Sequence, residues 1–507
     1  MSSPVRPLRK VLVANRGEIA VRILRTCRVL GIPTVAVYSE ADRGARHVRE
    51  ADQAVEIGPA EPAQSYLSIT ALIDAARRTS ADSVHPGYGF LSQNGDFADA
   101  VSAAGLVFVG PPGDVHRLMG DKRAARRLMA SAGVPVLPGY DGADQQDATL
   151  RAEAARIGFP LMLKPTRGGG GKGMRVVTGE GELADALASA RREALSAFGD
   201  DALLLERYVS RPRHVEVQVL ADAHGRVIQL GERECSVQRR HQKVVEEAPS
   251  PALDATQREA LHAAALGAAR AVGYVNAGTV EFLLAPDGRF HFLEMNTRLQ
   301  VEHPVTEAVT GLDLVRLQLE VAAGRPLALA QHDVVRVGHA LECRLYAEDP
   351  QRDDLPSPGR VLHLREPEGP GVRVDSGLCQ GAEVSVHYDP LLSKIVTWGH
   401  DRDEAVARMI EALRRTVVLG VATNLPRLRA IVGHPAFARG ELHTGFIEQH
   451  LAELTPQSCP PPLAIAALAM ALARTSRDAR GPERERRPDA WERVGAWRLG
   501  DAPAEER

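Results

Sequence analysis

Residues 279–303 read TVEFLLAPDGRFHFLEMNTRLQVEH. Two apolar stretches flank Asp287 and Gly288, and Asp-Gly between such stretches is the strongest short signal for a β-hairpin with a type I′ turn. If the loop has these two residues and the strands pair regularly outward, Glu281 lies directly opposite Glu294. Directly opposed Cβ atoms are roughly 4.5–5.5 Å apart. The stretch therefore predicts an antiparallel hairpin with two neighbouring carboxylates.

The other face of this hairpin pairs Phe282 with Leu293 and Val280 with Met295, which is the pattern of a core face. Asn296 follows on the acidic face. Opposed like charges are destabilising unless one is protonated or a cation bridges them. Oxygen ligands with an amide nearby suit Mg²⁺ or Mn²⁺. The alternative is a solvated polar face with coincidental spacing, and a bulge would change the register.

The segment 294–303 continues the alternation of polar and apolar residues beyond the hairpin. Such alternation predicts a strand with one polar face. That face carries two acids, a guanidinium and two amides: Glu294, Asn296, Arg298, Gln300 and Glu302.

The overall composition is that of a globular protein of several domains, with 507 residues, 44% apolar residues and a net charge of −3. This charge indicates no nucleic-acid or membrane partner. No signal peptide is recognisable. The five cysteines include no CxxC pair, which argues against a zinc site or a disulfide framework and predicts a reducing, cytoplasmic location.

Lysine is rare: the chain has six lysines and 56 arginines. A lysine kept in such a chain indicates a need for a compact ammonium, although chance can place any one of them. We prefer chance for Lys10 and Lys394. The other four are Lys122, Lys164, Lys172 and Lys243.

Residues 9–38 read as strand, helix, strand, a βαβ unit that predicts an open parallel sheet at the N-terminus. Its first turn, NRGEIA, lacks the G-x-G-x-x-G dinucleotide fingerprint. Changes of pattern along the chain predict four regions. These are an N-terminal domain (1–119), a central domain (120–333) with a lid at about 137–209, and a C-terminal mixed β/α domain (334–452). Residues 453–507 are a linker with the start of a further segment that stops short.

The glycine run lies in KPTRGGGGKGMR, residues 164–175. It contains a G-x-G-x-x-G match, but a strand-like MRVV follows where a dinucleotide site needs a helix. A Walker A loop is also excluded, because Gly173 rather than Ser or Thr follows Lys172. The pattern predicts a mobile glycine hairpin whose amides approach phosphates, with Lys164 at the end of the preceding strand. A plain flexible surface loop is the alternative.

Together these features resemble the ATP-grasp fold, and more narrowly the biotin carboxylases. The resemblance covers roughly residues 8–450. It rests on seven motifs in order: VANRGEIAVRILR (13–25), HPGYGFLSQN (85–94), LMGDK (118–122), GGGGKGM (168–174), RRHQKVVEEAP (239–249), EMNTRLQVEHPVTE (294–307) and ECRLYAEDP (342–350).

The resemblance implies a Rossmann-like N-terminal domain, an ATP-grasp domain with a glycine-rich lid and a C-terminal biotin carboxylase domain. It implies ATP-dependent carboxylation of biotin by bicarbonate through carboxyphosphate, the first half-reaction of an acyl-CoA carboxylase. ATP, two Mg²⁺ or Mn²⁺ ions and carrier-bound biotin would be required. The implied partners are a biotin carboxyl carrier protein, a carboxyltransferase subunit and a second copy of the chain.

The resemblance also implies roles for individual residues. ATP would be held by Lys122, Lys164, Gly170, Gly171, Glu206, Arg207, Tyr208, Val209, His214, Gln238, His241, Glu281 and Glu294. The metal ligands would be Glu281, Glu294 and Asn296. Bicarbonate would meet Lys243, Arg298, Gln300, Val301 and Glu302. Within the bicarbonate set Arg298 would clamp the anion, Glu302 would take its proton and Lys243 would assist. Arg344, outside this set, would bind biotin and stabilise its oxygen.

Some positions depart from the family pattern. Gln93 stands where Glu is usual, Arg207 where Lys is common, and Pro165 and Thr166 replace small residues. The role of His85, chemical or purely structural, stays open. Two alternatives to the implied activity remain: another ATP-grasp ligase that joins an acid to an amine, and a catalytically weak ATP-binding subunit of a carboxylase complex. No Met-Lys-Met segment occurs, so we expect the biotin-bearing lysine on another chain or region.

Overall fold

The computed structural model of the chain describes residues 5–166, 173–455 and 470. The predicted sites at Gly170 and Gly171 lie outside these residues, as does Lys172. Nearly all of the predicted segment 453–507 lies outside them as well. Met1–Pro456 form one compact unit, and the description below concerns this unit. Among the described helices, none is long and apolar enough to cross a bilayer.

The N-terminal region is a five-stranded parallel sheet in the order β3-β2-β1-β4-β5, as predicted. Right-handed crossovers through helices are what a parallel sheet requires. Its elements are β1 (Val11–Val13), α1 (Gly17–Val29), β2 (Thr34–Ser39), α2 (Arg46–Glu50), β3 (Gln53–Gly58), α3 (Ile69–Thr79), β4 (Ser83–His85), α4 (Gly95–Ala103) and β5 (Val107–Phe108).

The central region begins with two helices and then forms a four-stranded antiparallel sheet in the order β6-β9-β7-β8. The elements up to this point are α5 (Gly113–Gly120), α6 (Lys122–Ser131), β6 (Gly139–Tyr140), α7 (Asp147–Ile157), β7 (Leu161–Pro165), β8 (Arg175–Val177), α8 (Glu180–Phe198) and β9 (Leu203–Arg207). Helices α7 and α8 cover this sheet with a separate small core that includes Leu150, Leu161, Leu187 and Leu205. This sheet lies within the predicted lid.

A second sheet has eight strands in the order β14-β13-β10-β11-β12-β15-β22-β20. Its first part and the helices around it are β10 (Arg213–Ala221), β11 (Val227–Arg239), β12 (Gln242–Ala248), α9 (Ala255–Val272), β13 (Asn276–Leu284), β14 (Phe290–Asn296), α10 (His303–Thr310) and α11 (Leu314–Ala322). Helix α9 starts at a capping box of Asp254 and Gln257 and ends at Gly273 in the left-handed conformation.

The C-terminal region completes the eight-stranded sheet and adds three small two-stranded sheets. Its elements are β15 (His339–Tyr346), β16 (Glu348–Asp349), β17 (Leu355–Pro356), β18 (Gly359–Arg360), β19 (His363–Arg365), β20 (Val372–Ser376), β21 (Glu383–Val384), β22 (Leu391–Gly399), α12 (Arg402–Arg415), β23 (Val417–Leu419), α13 (Leu425–Val432), α14 (Pro435–Ala438), α15 (Phe446–Gln449) and α16 (Leu451–Leu454). Together with the two sheets above, this arrangement confirms the predicted mixed α/β architecture.

The predicted hairpin is present, and Glu281 pairs with Glu294 as expected. The predicted two-residue turn is wrong: Ala285 and Arg289 close a three-residue loop, with Gly288 at φ 82° in the left-handed region. The register accordingly pairs Phe282 with Phe292 rather than with Leu293. An irregularity next to Glu281 adds one residue on the return strand and restores the pairing of the acids.

The predicted strand over 294–303 is wrong beyond Asn296. Strand β14 ends there, residues 297–302 form a non-strand loop, and α10 begins at His303 with Pro304 in its first turn. We call residues 297–302 the 297–302 loop. The directions of its polar side chains are set by the loop backbone, so strand alternation does not hold them on a common face.

Candidate active site

The two opposed carboxylates at the edge of the large sheet differ in their contacts. One oxygen of Glu281 accepts hydrogen bonds at 2.8 Å from each of Lys243, Asn296 and Gln300. Burial would raise the pKa of Glu281, but Lys243 and His214 outweigh it and lower that pKa strongly. Burial and the charge of Glu281 raise the pKa of Glu294.

The Lys243 ammonium joins three acids. Its Nζ donates to Glu216 at 2.5 Å, to Glu281 at 2.8 Å and to Glu302 at 2.5 Å. Burial alone would lower the pKa of Lys243, yet the three carboxylates raise it well above its ordinary value. Lys243 therefore stays charged at neutral pH and holds acids from β10, β13 and the 297–302 loop together.

Beneath this cluster lies a buried arginine that sequence analysis did not single out. Arg233 is fully buried and donates to Glu216 at 2.6 Å and to Gln218, Thr279 and Thr306 at 2.8–3.0 Å. The signal that points to such a network is a polar residue at every second position of HVEVQVL in β10, a strand buried on both faces. The pairing fixes Glu216 below Lys243.

Arg298 is hydrogen-bonded only to uncharged acceptors within the described residues. Its guanidinium donates to Gln93 at 2.7 Å, to the Leu299 carbonyl and Gln300 at 3.0 Å, and to Asn296 at 3.2 Å. Burial lowers its pKa, opposed by Glu302 and Glu281 at longer range. A half-buried cation oriented by neutral groups is suited to bind an anion.

Arg344 has the opposite environment, because it is shared by two carboxylates. Its Nε lies 2.5 Å from Glu246 and one terminal nitrogen lies 3.0 Å from Glu302. Burial favours a higher pKa for Glu302, but Lys243 and Arg344 lower it well below its usual value. Burial raises the pKa of Glu246 to about 7 despite Arg344. Glu246 was also missed from the sequence.

A second group of predicted residues surrounds β7 and β9. Lys164 donates to Glu206 at 2.5 Å, and Arg126 donates to the other Glu206 oxygen at 3.0 Å. Burial would raise the pKa of Glu206, but Lys164 and Arg126 lower it. Lys122 begins α6, which Asp121 caps, and burial lowers the Lys122 pKa. These residues form a polar patch between α6 and the four-stranded sheet.

Other predicted nucleotide residues lie in or next to the two antiparallel sheets. Gln238 is buried and pairs with Lys243 between β11 and β12. Tyr208 follows β9 and its amide donates to the Pro160 carbonyl, and Val209 follows it in the same exit loop. The Arg207 side chain is engaged elsewhere, donating to the Ile157 carbonyl at 2.7 Å.

His214 lies close to one of the two opposed carboxylates, with its Nε2 3.1 Å from an oxygen of Glu281. It therefore adjoins the acid pair.

The turn between β11 and β12 is strained. Arg239 pairs with Gln242, so Arg240 and His241 form a two-residue loop with φ of 49° and 67°. A type I′ turn needs positive φ at both positions and favours Asn and Gly. Strain of this kind is concentrated at functional sites. His241 is exposed at the tip of this turn.

The donor set fits a hard divalent cation. Glu281 and Glu294 offer carboxylate oxygens across one strand pair, and the Asn296 amide follows directly. Glu294 has no hydrogen-bond partner among the described residues, and burial together with the charge of Glu281 raises its pKa. A bound cation would offset the repulsion between the two carboxylates. These three residues would hold Mg²⁺ or Mn²⁺.

Two further histidine features have structural explanations. His85 is fully buried, its Nδ1 accepts from the Gly87 amide at 3.1 Å, and burial lowers its pKa to about 3. His434 lies beside His450 and Glu453, but its Nδ1 accepts from the Ala436 amide. The other nitrogen therefore carries the proton and is not free to bind a metal.

Three family models match the chain in succession. "Biotin carboxylase, N-terminal domain" matches residues 7–115. "Carbamoyl-phosphate synthase L chain, ATP binding domain" matches 121–330, and "Biotin carboxylase C-terminal domain" matches 342–449.

Similar proteins are known in several organisms. Biotin carboxylase of Allochromatium vinosum is 51% identical over 445 residues, covering 88% of this chain and 99% of that protein. Methylcrotonoyl-CoA carboxylase subunit alpha, mitochondrial, of Mus musculus is 50% identical over 456 residues, covering 90% of this chain and 64% of that protein. The chain therefore spans less than two thirds of the length of the mouse relative.

A solved structure also matches. It is the biotin carboxylase domain dimer of Hydrogenobacter thermophilus 2-oxoglutarate carboxylase, in complex with MgADP, ADP and bicarbonate. The TM-score is 0.86 at 43% sequence identity, and the match covers 89% of this chain and 100% of that one.

Proposed function

The chain belongs to the biotin carboxylase family, and from that premise we propose that it carboxylates carrier-bound biotin with bicarbonate and ATP. One observation carries the proposal. Within the described residues Arg298 is hydrogen-bonded only to uncharged acceptors, and it lies beside a lysine–carboxylate cluster, so the site offers an anion clamp next to a proton acceptor. A carboxylate–amine ligase would have no use for Arg344 poised between Glu246 and Glu302.

Binding of ATP is assigned to the patch between α6 and the four-stranded sheet. Lys122 and Lys164 supply positive charge for the phosphates, and Glu206 keeps Lys164 in place. A divalent cation at Glu281, Glu294 and Asn296 would supply neutralisation of phosphate charge during transfer. The glycines at 170 and 171 remain part of this proposal as residues whose amides approach phosphates.

Bicarbonate binds at Arg298 in this proposal. The guanidinium fork matches a planar carbonate bidentately, and Gln93, Asn296 and Gln300 fix its plane without neutralising it. A bicarbonate oxygen attacks the γ-phosphorus, the bond to the ADP oxygen breaks and carboxyphosphate forms. Val301 contributes backbone to the same site.

Glu302 takes the bicarbonate proton. Lys243 and Arg344 hold it ionised, so it is available as an acceptor but is weakly basic while both contacts persist. Release of one contact raises its pKa, because the carboxylate is fully buried. Arg344 is the contact that can leave, since it would turn to the ureido oxygen of biotin in the second step.

Arg344 then serves the second step. Carboxyphosphate breaks down to CO₂ and phosphate, and the phosphate removes the proton from the ureido nitrogen of biotin as that nitrogen attacks CO₂. Negative charge develops on the ureido oxygen, and a preorganised guanidinium stabilises it. Arg344 is held ready for this role by Glu246 and by the fixed β15 backbone, whose carbonyl accepts from Asn424.

The remaining parts of the proposal concern partner proteins, cellular location and domain boundaries. We propose a biotin carboxyl carrier protein and a carboxyltransferase subunit as partners, and a homodimer as the assembled state. The named relatives are consistent with a role in acyl-CoA carboxylation. Cys27, Cys235, Cys343 and Cys379 are free thiols, which supports a reducing compartment such as the cytoplasm. The four predicted regions, 1–119, 120–333, 334–452 and 453–507, are kept as domain boundaries.

The test is ADP release measured with and without bicarbonate and free biotin. The proposal expects ADP release that depends on bicarbonate, rises with biotin and is accompanied by carboxybiotin. Bicarbonate-independent ADP release that depends on an added amine would favour the carboxylate–amine ligase. No ADP release with intact nucleotide binding would favour an ATP-binding subunit without catalysis.

A further inference from the structure

One lysine lies outside every role described so far. Lys394, in β22, is fully buried. Its Nζ donates to the carbonyl of Val301 at 2.9 Å and lies 3.3 Å from an oxygen of Glu18. Strand pairing places it directly opposite Arg344 on β15 and opposite Asp375 on β20. Lys394 thus connects the C-terminal sheet, helix α1 and the 297–302 loop.

The Val301 carbonyl that accepts from Lys394 lies next to the proposed base Glu302. The Val301 carbonyl belongs to the peptide that leads into Glu302. Within the 297–302 loop, the Leu299 carbonyl accepts from Arg298 and the Gln300 carbonyl accepts from the His303 amide and ring. The loop has no strand partner, so these contacts determine its path. At Val301 the donor comes from a different region of the chain.

The choice of lysine is itself informative in a chain with six lysines and 56 arginines. Lys394 occupies a fully enclosed position below Tyr88, whose ring centre lies 5.6 Å from Nζ. A compact ammonium can donate to a carbonyl and approach a carboxylate there, whereas a guanidinium is larger and planar. Glu18 is also buried, and Lys394 is its cationic partner.

We propose that Lys394 is a positioning residue for carboxylation: it sets the backbone of the bicarbonate site by holding the Val301 carbonyl, and so places Glu302 against the bound anion. This inference rests on the proposed function. It assigns Lys394 no contact with substrate, and it separates the Val301 contact from the ion pair with Glu18.

The experiment compares four forms of the full chain with the wild type: Lys394→Met, Glu18→Gln, the double variant Lys394→Met/Glu18→Gln, and Lys10→Met. Steady-state ADP release gives the KM for bicarbonate and the KM for ATP, and thermal unfolding gives the stability. Lys10 is a matched control, since its Nζ also donates to a main-chain carbonyl, that of Thr79, but far from the site.

Lys394→Met should raise the KM for bicarbonate about tenfold, the size expected for one lost hydrogen bond from a charged donor. The KM for ATP should stay within about twofold. Lys394→Met also leaves Glu18 buried without a cationic partner, so the stability of this variant should fall. The double variant should regain stability but keep the raised KM for bicarbonate. Glu18→Gln and Lys10→Met should keep the wild-type KM.

Three outcomes would overturn the inference. They are a double variant with a normal KM for bicarbonate, a double variant that does not fold, and a Glu18→Gln variant with the same KM increase as Lys394→Met. Failure of the proposed function is a different result, since the wild type itself would then show no bicarbonate-dependent ADP release.

Discussion

The ammonium of Lys243 lies 2.5 Å from a carboxylate oxygen of Glu302, and both groups are enclosed by protein. The proposed base is therefore permanently paired with a cation before bicarbonate arrives. The same cation also serves Glu216 and Glu281, so its charge supports the fold as well as the chemistry.

Replacing Lys243 with Met should destabilise the protein by about 3–5 kcal/mol at pH 8, because three buried carboxylates lose their shared partner. The raised pKa of Lys243 means that its contribution is complete below the unfolded value near 10.4 and is lost only as pH rises through the folded value. In the variant, the acids can take up protons as pH falls, so the deficit should shrink towards pH 6. Urea unfolding at pH 6, 7 and 8 measures this. A deficit that is constant with pH would contradict it.

Glu294→Gln should weaken metal binding and leave the fold intact. The substitution removes a ligand and also the repulsion from Glu281 that raises the Glu294 pKa, so stability without metal should not fall. Mn²⁺ binding followed by electron paramagnetic resonance and the Mg²⁺ dependence of ADP release both report the effect. Asp287→Asn, at the exposed hairpin tip, is the control. Unchanged Mn²⁺ affinity in Glu294→Gln would remove this residue from the metal site.

Arg298→Ala should nearly abolish biotin carboxylation, with a loss of about 10²–10³-fold, the usual effect of losing one preorganised charge partner. ATP affinity should change little, since the nucleotide contacts are assigned to Lys122 and Lys164. ADP release, carboxybiotin formation and nucleotide binding measured side by side test this. Near-normal carboxylation in the variant would exclude Arg298 as the anion clamp.

Arg344→Ala should separate the two half-steps. Carboxybiotin formation should fall by about 10²–10³-fold, while bicarbonate-dependent ADP release without biotin persists. Loss of Arg344 also removes one of the three cations that lower the Glu302 pKa, so the acid limb of ADP release should move to higher pH. Equal loss of both activities would show that the two arginines do not divide the steps.

His241→Gly should stabilise the protein and impair nucleotide use. Gly accepts the positive φ at this turn, which predicts a gain of about 0.5–1 kcal/mol in the free energy of unfolding. The KM for ATP should rise if His241 contacts the nucleotide. Arg240→Gly relieves the same type of strain at the neighbouring position. The exposed ion pair of Arg240 with Asp353 contributes little to stability, and this variant should leave the KM for ATP unchanged. The same KM in both variants would exclude a nucleotide role for His241.

The sequence predicted the acid pair through two errors that cancelled. The loop has three residues instead of two, which shifts the register by one, and the irregularity beside Glu281 shifts it back. Asp287-Gly288 signals a turn, but it does not decide between these loop lengths. The irregularity has no local signature. The apolar alternation placed Val280, Phe282 and Met295 correctly in the core, but Phe292 rather than Leu293 packs there, because the register depended on the turn.

The prediction from alternation failed beyond Asn296. Polar and apolar residues continue to alternate in the sequence there, but the backbone leaves the sheet. Pro304 within the first turn of α10 was the available signal for that change. Contacts between distant segments were invisible to any local pattern: Lys394 with Val301 and Arg344 with Glu246 depend on how whole strands are ordered in a sheet. Lys394 was attributed to chance for that reason.

The strand pair β12–β15 joins the central and C-terminal regions by a continuous antiparallel ladder, from Val245 opposite Cys343 to Ala248 opposite Ala340. The ladder crosses the boundary proposed at 333/334, with Lys243 on one side and Arg344 on the other. The two regions should therefore exchange their amide hydrogens as one cooperative unit, while the four-stranded sheet with its own core can open at lower free energy. A fragment cut at this boundary would expose the edge of β12 and be prone to aggregate. The two halves of the proposed catalytic site therefore cannot be separated without breaking a sheet.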